Sequence, residues 1–273
     1  MHGLLDDVLD GRLVDNRQHL LRGGLRRRQE AGAQPGHGDD GLGHSGVAIL
    51  SHILSVRIGV RAVTETSNAA AKAELRSRIR AGRRTRDGAA AAFAEVLAGC
   101  VPDEGAVLAY AALPGEPNLD LLLDDLHARG RTVYLPVTTP GEPLRFGRLE
   151  TAMESLPRVG TWQIREPQPV LTAPEAVAGT ADHPPVGVVF VPGLAYGPAG
   201  ARLGNGAGFY DRTFGPQGQA PTTSATVDFI GVCYSDEVLG EIGREEWDLA
   251  VTAIATETGL QAVSGGAGAG ACE

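Results

Sequence analysis

The sequence predicts an α/β domain of three layers, a mostly parallel sheet with helices on both faces. Three observations predict it. Residues 186–191 (Val-Gly-Val-Val-Phe-Val) are a nearly unbroken apolar run, the pattern of a strand covered on both sides. Residues 106–137 read strand, helix, strand at the spacing of a right-handed parallel crossover. Hydrophobic residues make up 42% and charged residues 21% of the 273, a balance that allows one sizeable globular core.

Taken in order, residues 1–67 hold no helical or strand period. They carry His2, His19, His37, His44, His52 and the Arg26-Arg27-Arg28 cluster, followed by a Gly/His/Asp stretch over 32–46. This segment is expected to be a disordered or mis-called extension, with initiation near Val60 or Val63. No pair of these histidines has the H-x₃₋₅-H spacing that brings two imidazoles to one ion. Ser67-Asn68 open a helix whose apolar positions Leu75 and Ile79 are four apart, running to about Gly82 or, after a break, through Phe93, Val96 and Leu97. Ala106–Leu113 reads as a buried strand. Asn118 caps a helix carrying Leu119, Leu122, Leu123 and Leu126 until Gly130 stops it, and Thr132–Val137 is the next strand. Leu144–Leu149 is a shorter strand, and residues 166–185 are an irregular connection into the 186–191 strand. Phe229–Tyr234 and Ala250–Thr256 complete the sheet, and after Leu260 the chain dissolves into Gly and Ala. One Rossmann-like domain is thus expected over residues 68–260 with a flexible tail over 261–273, and ligands are expected at the carboxyl ends of the strands.

A formal charge of −9 argues against a general nucleic-acid binder while leaving room for a local basic pocket. No run of 18 apolar residues and no signal-peptide order is present, so no membrane association is expected. Cys100, Cys233 and Cys272 form no C-x-x-C pair and leave an odd count, which fits a reducing cytoplasm. Lys72 is the only lysine among 24 Lys and Arg residues, as in a high-GC coding sequence that has exchanged lysine for arginine.

Chemistry concentrates after the 186–191 strand, in Ala201-Arg-Leu-Gly-Asn-Gly-Ala-Gly-Phe-Tyr-Asp-Arg212. Gly204, Gly206 and Gly208 alternate, so that backbone N–H groups can approach a polyphosphate that Arg202 neutralises. A short helix then starts at Phe209-Tyr210-Asp211. No Gly-Lys-Ser/Thr follows, which excludes a Walker A loop, and the position late in the chain excludes the dinucleotide fingerprint. Lys72 and Arg76 are spaced i, i+4 and project from one helical face toward whatever anion lies there.

The string Arg202-Leu-Gly-x-Gly-x-Gly-Phe-Tyr-Asp-Arg resembles the R-L-G-x-G-x-G-Y-Y-D-R signature of the 5-formyltetrahydrofolate cyclo-ligase family. Further pieces follow in family order: Lys72-Ala-Glu-Leu-Arg76, Pro114-Gly-Glu-Pro117, Tyr134-Leu-Pro136, Leu144-Arg-Phe146, Trp162 with Glu166-Pro167, and Trp247-Asp-Leu-Ala-Val251 leading into Thr256-Glu257-Thr258. The resemblance implies an enzyme that closes 5-formyltetrahydrofolate to 5,10-methenyltetrahydrofolate with ATP and Mg2+, as a monomer or homodimer. It assigns Lys72, Arg76 and Arg202 to catalysis. ATP falls to these three with Leu203, Gly204, Asn205, Gly206, Ala207, Gly208, Phe209 and Tyr210. The folate falls to Ala111, Glu116, Trp162, Asn205 and Phe209, and the metal to Asp211 and Asp248, since magnesium takes few protein oxygens beside phosphate and water. Four positions depart from the family pattern: Ala111 replaces a larger apolar residue, Phe209 a tyrosine, Ala207 a lysine of some members, and Thr252 an aspartate. Two rivals keep the architecture, a non-catalytic folate- or nucleotide-binding module and a sugar-phosphate isomerase or regulator. ATP-dependent product formation separates the first, and dependence on Lys72 the second. Cys100 and Cys233 read as core residues, because phosphoryl transfer to an amide oxygen needs no thiol.

Overall fold

A computed structural model describes residues 68–221 and 227–263. The expectations for residues 1–67, for Cys272 and for the tail beyond 263 lie outside the described residues.

The first helix, α1, covers residues 68–83 and is followed after a break by α2 (Ala90–Ala98). Strand β1 (Ala106–Leu108), helix α3 (Asp120–Ala128) and strand β2 (Val133–Val137) form the crossover that the sequence predicts. At its start Asn118 Oδ1 accepts the Asp120 N–H at 2.8 Å. At its end the Gly130 N–H reaches His127 O and the Arg131 N–H reaches Leu126 O, the paired bonds of a Schellman stop. Then come β3 (Arg145–Arg148), β4 (Arg158–Val159), β5 (Ile164–Arg165), β6 (Leu171–Thr172) and α4 (Ala173–Ala178). Strand β7 (Val186–Pro192) leads to a small hairpin, β8 (Ala195–Tyr196) with β9 (Arg202–Leu203), and to α5 (Phe209–Phe214). Strands β10 (Asp228–Val232), β11 (Ala253–Thr256) and β12 (Gly259–Ala262) end the fold.

The main sheet has eight strands in the order β12-β11-β10-β7-β1-β2-β3-β6. The central pairs β11/β10, β10/β7, β7/β1 and β1/β2 are parallel, and the edge pairs are antiparallel. Alternation along the strands divides the core into two faces. Val107, Val133, Val188 and Phe190 pack with Phe93, Leu97, Leu122 and Leu126 of α2 and α3. Leu108, Tyr134, Val189 and Val191 pack with Ala173 and Ala176 of α4 and with Tyr210 and Phe214 of α5. Each such aliphatic or aromatic side chain contributes about 1.5–3 kcal/mol when fully buried. The three-layer expectation is met.

Three local readings differ. Residues 166–185, expected to be an irregular connection, contain β6 and the helix α4, which Thr172 and Glu175 start with a capping box. The apolar run after β1 stays buried but leaves the ladder once Ala109 N–H has bonded Tyr134 O, because Leu113 N–H and Tyr110 Oη turn to Glu116 and Pro117. An apolar run reports burial there, not strand. Residues 261 and 262, expected to belong to the flexible tail, instead complete the antiparallel edge strand β12 on β11, with Thr256 paired to Gly259 across a tight turn.

Chain order matters more than strand count. From β1 the chain moves to β2 on one side, and from β7 it moves to β10 and β11 on the other. The carboxyl ends of the adjacent strands β1 and β7 therefore diverge, and the crevice between them is the expected ligand position of an open α/β sheet.

Candidate active site

Two loops leave that crevice. The loop after β1 carries Glu116, and the segment after β7 carries the hairpin and the glycine loop of residues 204–208. Helix α1 lies across the second of these. Its apolar pair Leu75 and Ile79 packs on Leu194, Ala195, Ala201, Leu203 and Ile242, a third and smaller hydrophobic cluster built largely on the β8–β9 hairpin. That contact fixes the rotation of α1 and brings its cations to the loop. Arg76 Nε donates to Gly204 O at 2.9 Å, Arg80 Nη2 donates to Asn205 O at 2.9 Å, and Lys72 Nζ meets Asp248 Oδ2 at 3.0 Å. The i, i+4 face read from Lys72 and Arg76 thus continues to Arg80, a residue the sequence reading passed over although the same spacing marks it.

Burial pulls the Arg76 pKa below its ordinary value, and repulsion from Arg80 and Arg202 pulls the same way against the attraction of Asp248 and Asp211. Beside the glycine loop Arg76 is thus crowded by two further guanidinium groups, with Asp248 and Asp211 as the opposing charges.

Arg202 is buried and uses its fork within the protein. Nη2 bonds Asp211 Oδ1 at 2.8 Å, Nη1 reaches Pro192 O at 3.3 Å, and the guanidinium lies 5.4 Å from the Tyr210 ring centroid. A Cβ on Gly204 would come within 2.8 Å of Arg202 Nη1, so this glycine makes room for the arginine. Gly206 and Gly208 have φ of +99° and +69°, backbone that a side chain resists. Gly206→Ala is expected to destabilise the fold by about 1–3 kcal/mol, read as a lower urea midpoint, with a raised KM for nucleotide.

Asp211 and Asp248 come together. Asp211 Oδ1 accepts Arg202 and the Leu249 N–H, and Asp248 Oδ2 accepts Lys72 and the Glu245 N–H. In each carboxylate the second oxygen takes no part in these bonds. Burial pushes the Asp211 carboxyl up, but the charge and hydrogen bond of Arg202, the Leu249 N–H and Lys72 outweigh it and hold the pKa below the usual carboxylate range. The sign follows. This stabilisation is fully present above the unfolded-state pKa and is lost as pH falls through the depressed folded value. Asp211→Asn is expected to flatten that acid limb of the stability profile, measured as urea midpoints against pH. Among the described residues no three His, Cys, Asp or Glu side chains gather into a metal cluster. Two carboxylates, each with an oxygen to spare, fit a hard cation that takes its remaining ligands from phosphate and water. Thr252 stands apart, bonded through N and Oγ1 to Phe229 O in the sheet.

On the opposite wall Glu116 is buried in its turn, with Oε2 accepting the Leu113 N–H at 3.0 Å and Oε1 accepting Asn205 Nδ2 at 3.1 Å. A polar cleft of about 290 Å³ opens beside it, lined by Gly88, Leu113, Glu116 and the arginines 86, 158 and 165 among others. Trp162 meets Phe209 edge-on at 6.0 Å, and Arg212 lies 5.2 Å over the other aromatic partner, Phe209. The structure thus assembles Lys72, Arg76, Arg202, Asn205, Asp211, Asp248 and Glu116, with the Trp162–Phe209 pair at the glycine loop. Ala111 is buried in the core, and its neighbours Ala112 and Leu113 line the cleft instead. Leu203 packs under α1, Ala207 completes the loop, and Tyr210 is buried against Phe214. Cys233 is buried with its pKa pushed up by burial, and half-buried Cys100 packs against the other core face. A larger hollow of about 770 Å³, lined by Glu104, Pro184 and Pro185, lies at the amino-terminal ends of β1 and β7, away from these groups.

The 5-formyltetrahydrofolate cyclo-ligase family model matches residues 68–257. A 5-formyltetrahydrofolate cyclo-ligase of Mycolicibacterium smegmatis is 35% identical over 195 residues, covering 68% of this chain and 93% of that protein. The Escherichia coli K12 protein of the same name is 27% identical over 150 residues, covering 55% of this chain and 76% of its own length. The solved structure of Aquifex aeolicus 5,10-methenyltetrahydrofolate synthetase shares the fold, with a TM-score of 0.54 at 24% identity over 71% of this chain and 94% of that one. Among the described residues no helix is long and apolar enough to cross a membrane.

Proposed function

The chain belongs to the 5-formyltetrahydrofolate cyclo-ligase family, and from that membership we propose that it closes 5-formyltetrahydrofolate to 5,10-methenyltetrahydrofolate, converting ATP to ADP and phosphate. One observation carries the reading. The loop held by the cations of α1 and the turn that presents Glu116 meet through Asn205 at the sheet's switch point, so a nucleotide on one and a pterin on the other lie side by side.

The reaction then divides among the residues. The formyl oxygen of the N5 amide attacks the γ-phosphorus, and the bond to ADP breaks. N10 adds to the activated formyl carbon, loses its proton, and ring closure expels inorganic phosphate. Little covalent work falls to the protein, so its contribution is position and charge. Lys72 and Arg76 hold phosphate oxygens, and the backbone around Gly204–Gly208 approaches them closely. Lys72 leaves Asp248 to do so, while Arg202 keeps Asp211 in place. Asp211 and Asp248 are the residues that would hold Mg2+, and the cation would supply neutralisation of charge on the transferring group. Glu116 accepts from the pterin ring, and the aromatic pair Trp162 and Phe209 supplies a wall. Phe209 in place of tyrosine removes a hydroxyl without removing the ring. The setting we assign is cytoplasmic one-carbon metabolism.

Stoichiometry tests the reading. ADP, phosphate and methenyl product are expected to appear in equal amounts, measured by coupled assays and absorbance on one sample. ADP release with no product would contradict it.

A further inference from the structure

The proposed function places nucleotide and folate on separate loops, and one residue touches both. Asn205 sits between Gly204 and Gly206, at the exposed tip of the glycine loop. Its backbone carbonyl accepts Arg80 Nη2 at 2.9 Å, while its side-chain amide donates to Glu116 Oε1 at 3.1 Å. The next carbonyl back, Gly204 O, accepts Arg76 Nε at 2.9 Å, and Glu116 Oε2 is tied to the Leu113 N–H at 3.0 Å. A continuous line of hydrogen bonds thus runs from the cationic face of α1, through the loop, to the buried carboxylate on the other wall.

The ends of that line differ in exposure. Glu116 is buried and anchored locally. Asn205 and Gly206 are exposed, the backbone at Gly206 has φ +99°, and a Cβ there would meet nothing nearer than Arg76 Nε at 3.7 Å. Whatever orders the loop also orders the amide that orients Glu116. Ordering paid at the first binding event need not be repeated at the second, which is positive cooperativity without a large movement.

From this geometry we infer that Asn205 is a positioning residue coupling the two ligand sites: nucleotide bound on the loop fixes the Asn205 amide against Glu116, so the folate binds more tightly with nucleotide present than without it. Arg80 supports the same device by holding the Asn205 backbone. By reciprocity the folate tightens the nucleotide by the same factor. The inference rests on the ligand assignment proposed above.

Calorimetric titration of the full chain tests it, with 5-formyltetrahydrofolate as titrant in the presence and absence of a non-hydrolysable ATP analogue and Mg2+. The wild-type protein is expected to show at least about fivefold tighter folate binding with the analogue, within the ordinary range for coupled sites. In Asn205→Ala the ratio is expected to fall to about one, with each ligand alone bound more weakly than by the wild type, and Arg80→Gln is expected to lie between. A purely structural role would lower the melting temperature and leave the ratio unchanged. A wild-type ratio of one in a protein that still makes product overturns the coupling alone, as does an Asn205→Ala variant that keeps the wild-type ratio or no longer binds the analogue. Failure of the wild type both to bind folate and to make product overturns the ligand assignment together with it.

Discussion

Lys72→Ala is expected to lower kcat/KM for ATP-dependent ring closure by about 10²–10³, the loss found when one preorganised charge is removed from a transition state. The basis is geometric. Lys72 lies on α1 beside Arg76, and its ammonium faces Asp248 at the edge of the glycine loop. It is also the only lysine in a chain where arginine otherwise supplies the positive charge. A compact ammonium on a flexible stem follows an oxygen as charge develops, whereas a guanidinium fork has fixed geometry and greater width. Lys72→Arg is therefore expected to recover less than one tenth of the lost rate, about 1.4 kcal/mol or more of residual deficit. Steady-state absorbance kinetics with each variant checks both statements. Folding is a separate matter, because the partner Asp248 also accepts the Glu245 N–H and keeps a polar contact.

The second large effect concerns stability. Arg83, near the end of α1, is buried with Glu237: Nε to Oε1 is 2.8 Å, Nη2 to Oε2 is 2.6 Å, and each side chain is 4% exposed. Arg83 Nη2 also donates to Gly193 O at 2.7 Å, just after β7, and Glu237 Oε2 accepts the Tyr234 N–H at 3.0 Å, just after β10. Its backbone abuts the Glu116 turn, where a Cβ on Gly115 would lie 2.4 Å from Arg83 O. One residue therefore ties α1 to the carboxyl ends of two central strands and to the Glu116 turn. Burial pushes the Arg83 pKa down, but the hydrogen bond and charge of Glu237 outweigh it, so the guanidinium stays charged. Removing one partner strands the other charge, and Arg83→Met or Glu237→Gln is expected to destabilise by about 3–5 kcal/mol in urea unfolding. The double variant Arg83→Met/Glu237→Leu is expected to regain much of that loss, since two apolar groups leave no buried charge. Equal and additive losses would contradict the buried-pair account.

Much of this was legible in the sequence because local pattern and long-range packing agree. The continuous run at 186–191 is buried on both faces, Gly130 stops α3, and Leu75 with Ile79 forms the contact that seats α1. The resemblance placed Lys72, Arg76, Asn205, Asp211 and Glu116 in one site, and the fold brings them together although they lie far apart in the chain. What was not legible depends on contacts between elements. Glu237 and Asp236 look like ordinary surface acids in Ser-Asp-Glu, yet Glu237 is buried because Arg83 reaches it across 154 residues. Arg202 reads as a phosphate ligand, and only its packing shows that it is committed to Asp211. Residues 259–262 have too little apolar character to mark a strand, and pairing with β11 supplies the hydrogen bonds that propensity does not.

The most direct measurement is absorbance of the methenyl chromophore, followed with purified full-length protein, 5-formyltetrahydrofolate and Mg·ATP, beside samples that lack ATP or carry Lys72→Ala. An ATP-dependent rise that the substitution reduces by about 10²-fold or more is the result predicted here. No rise from folded protein, or a rise indifferent to ATP, would contradict the assignment of the switch-point cleft as a cyclo-ligase site.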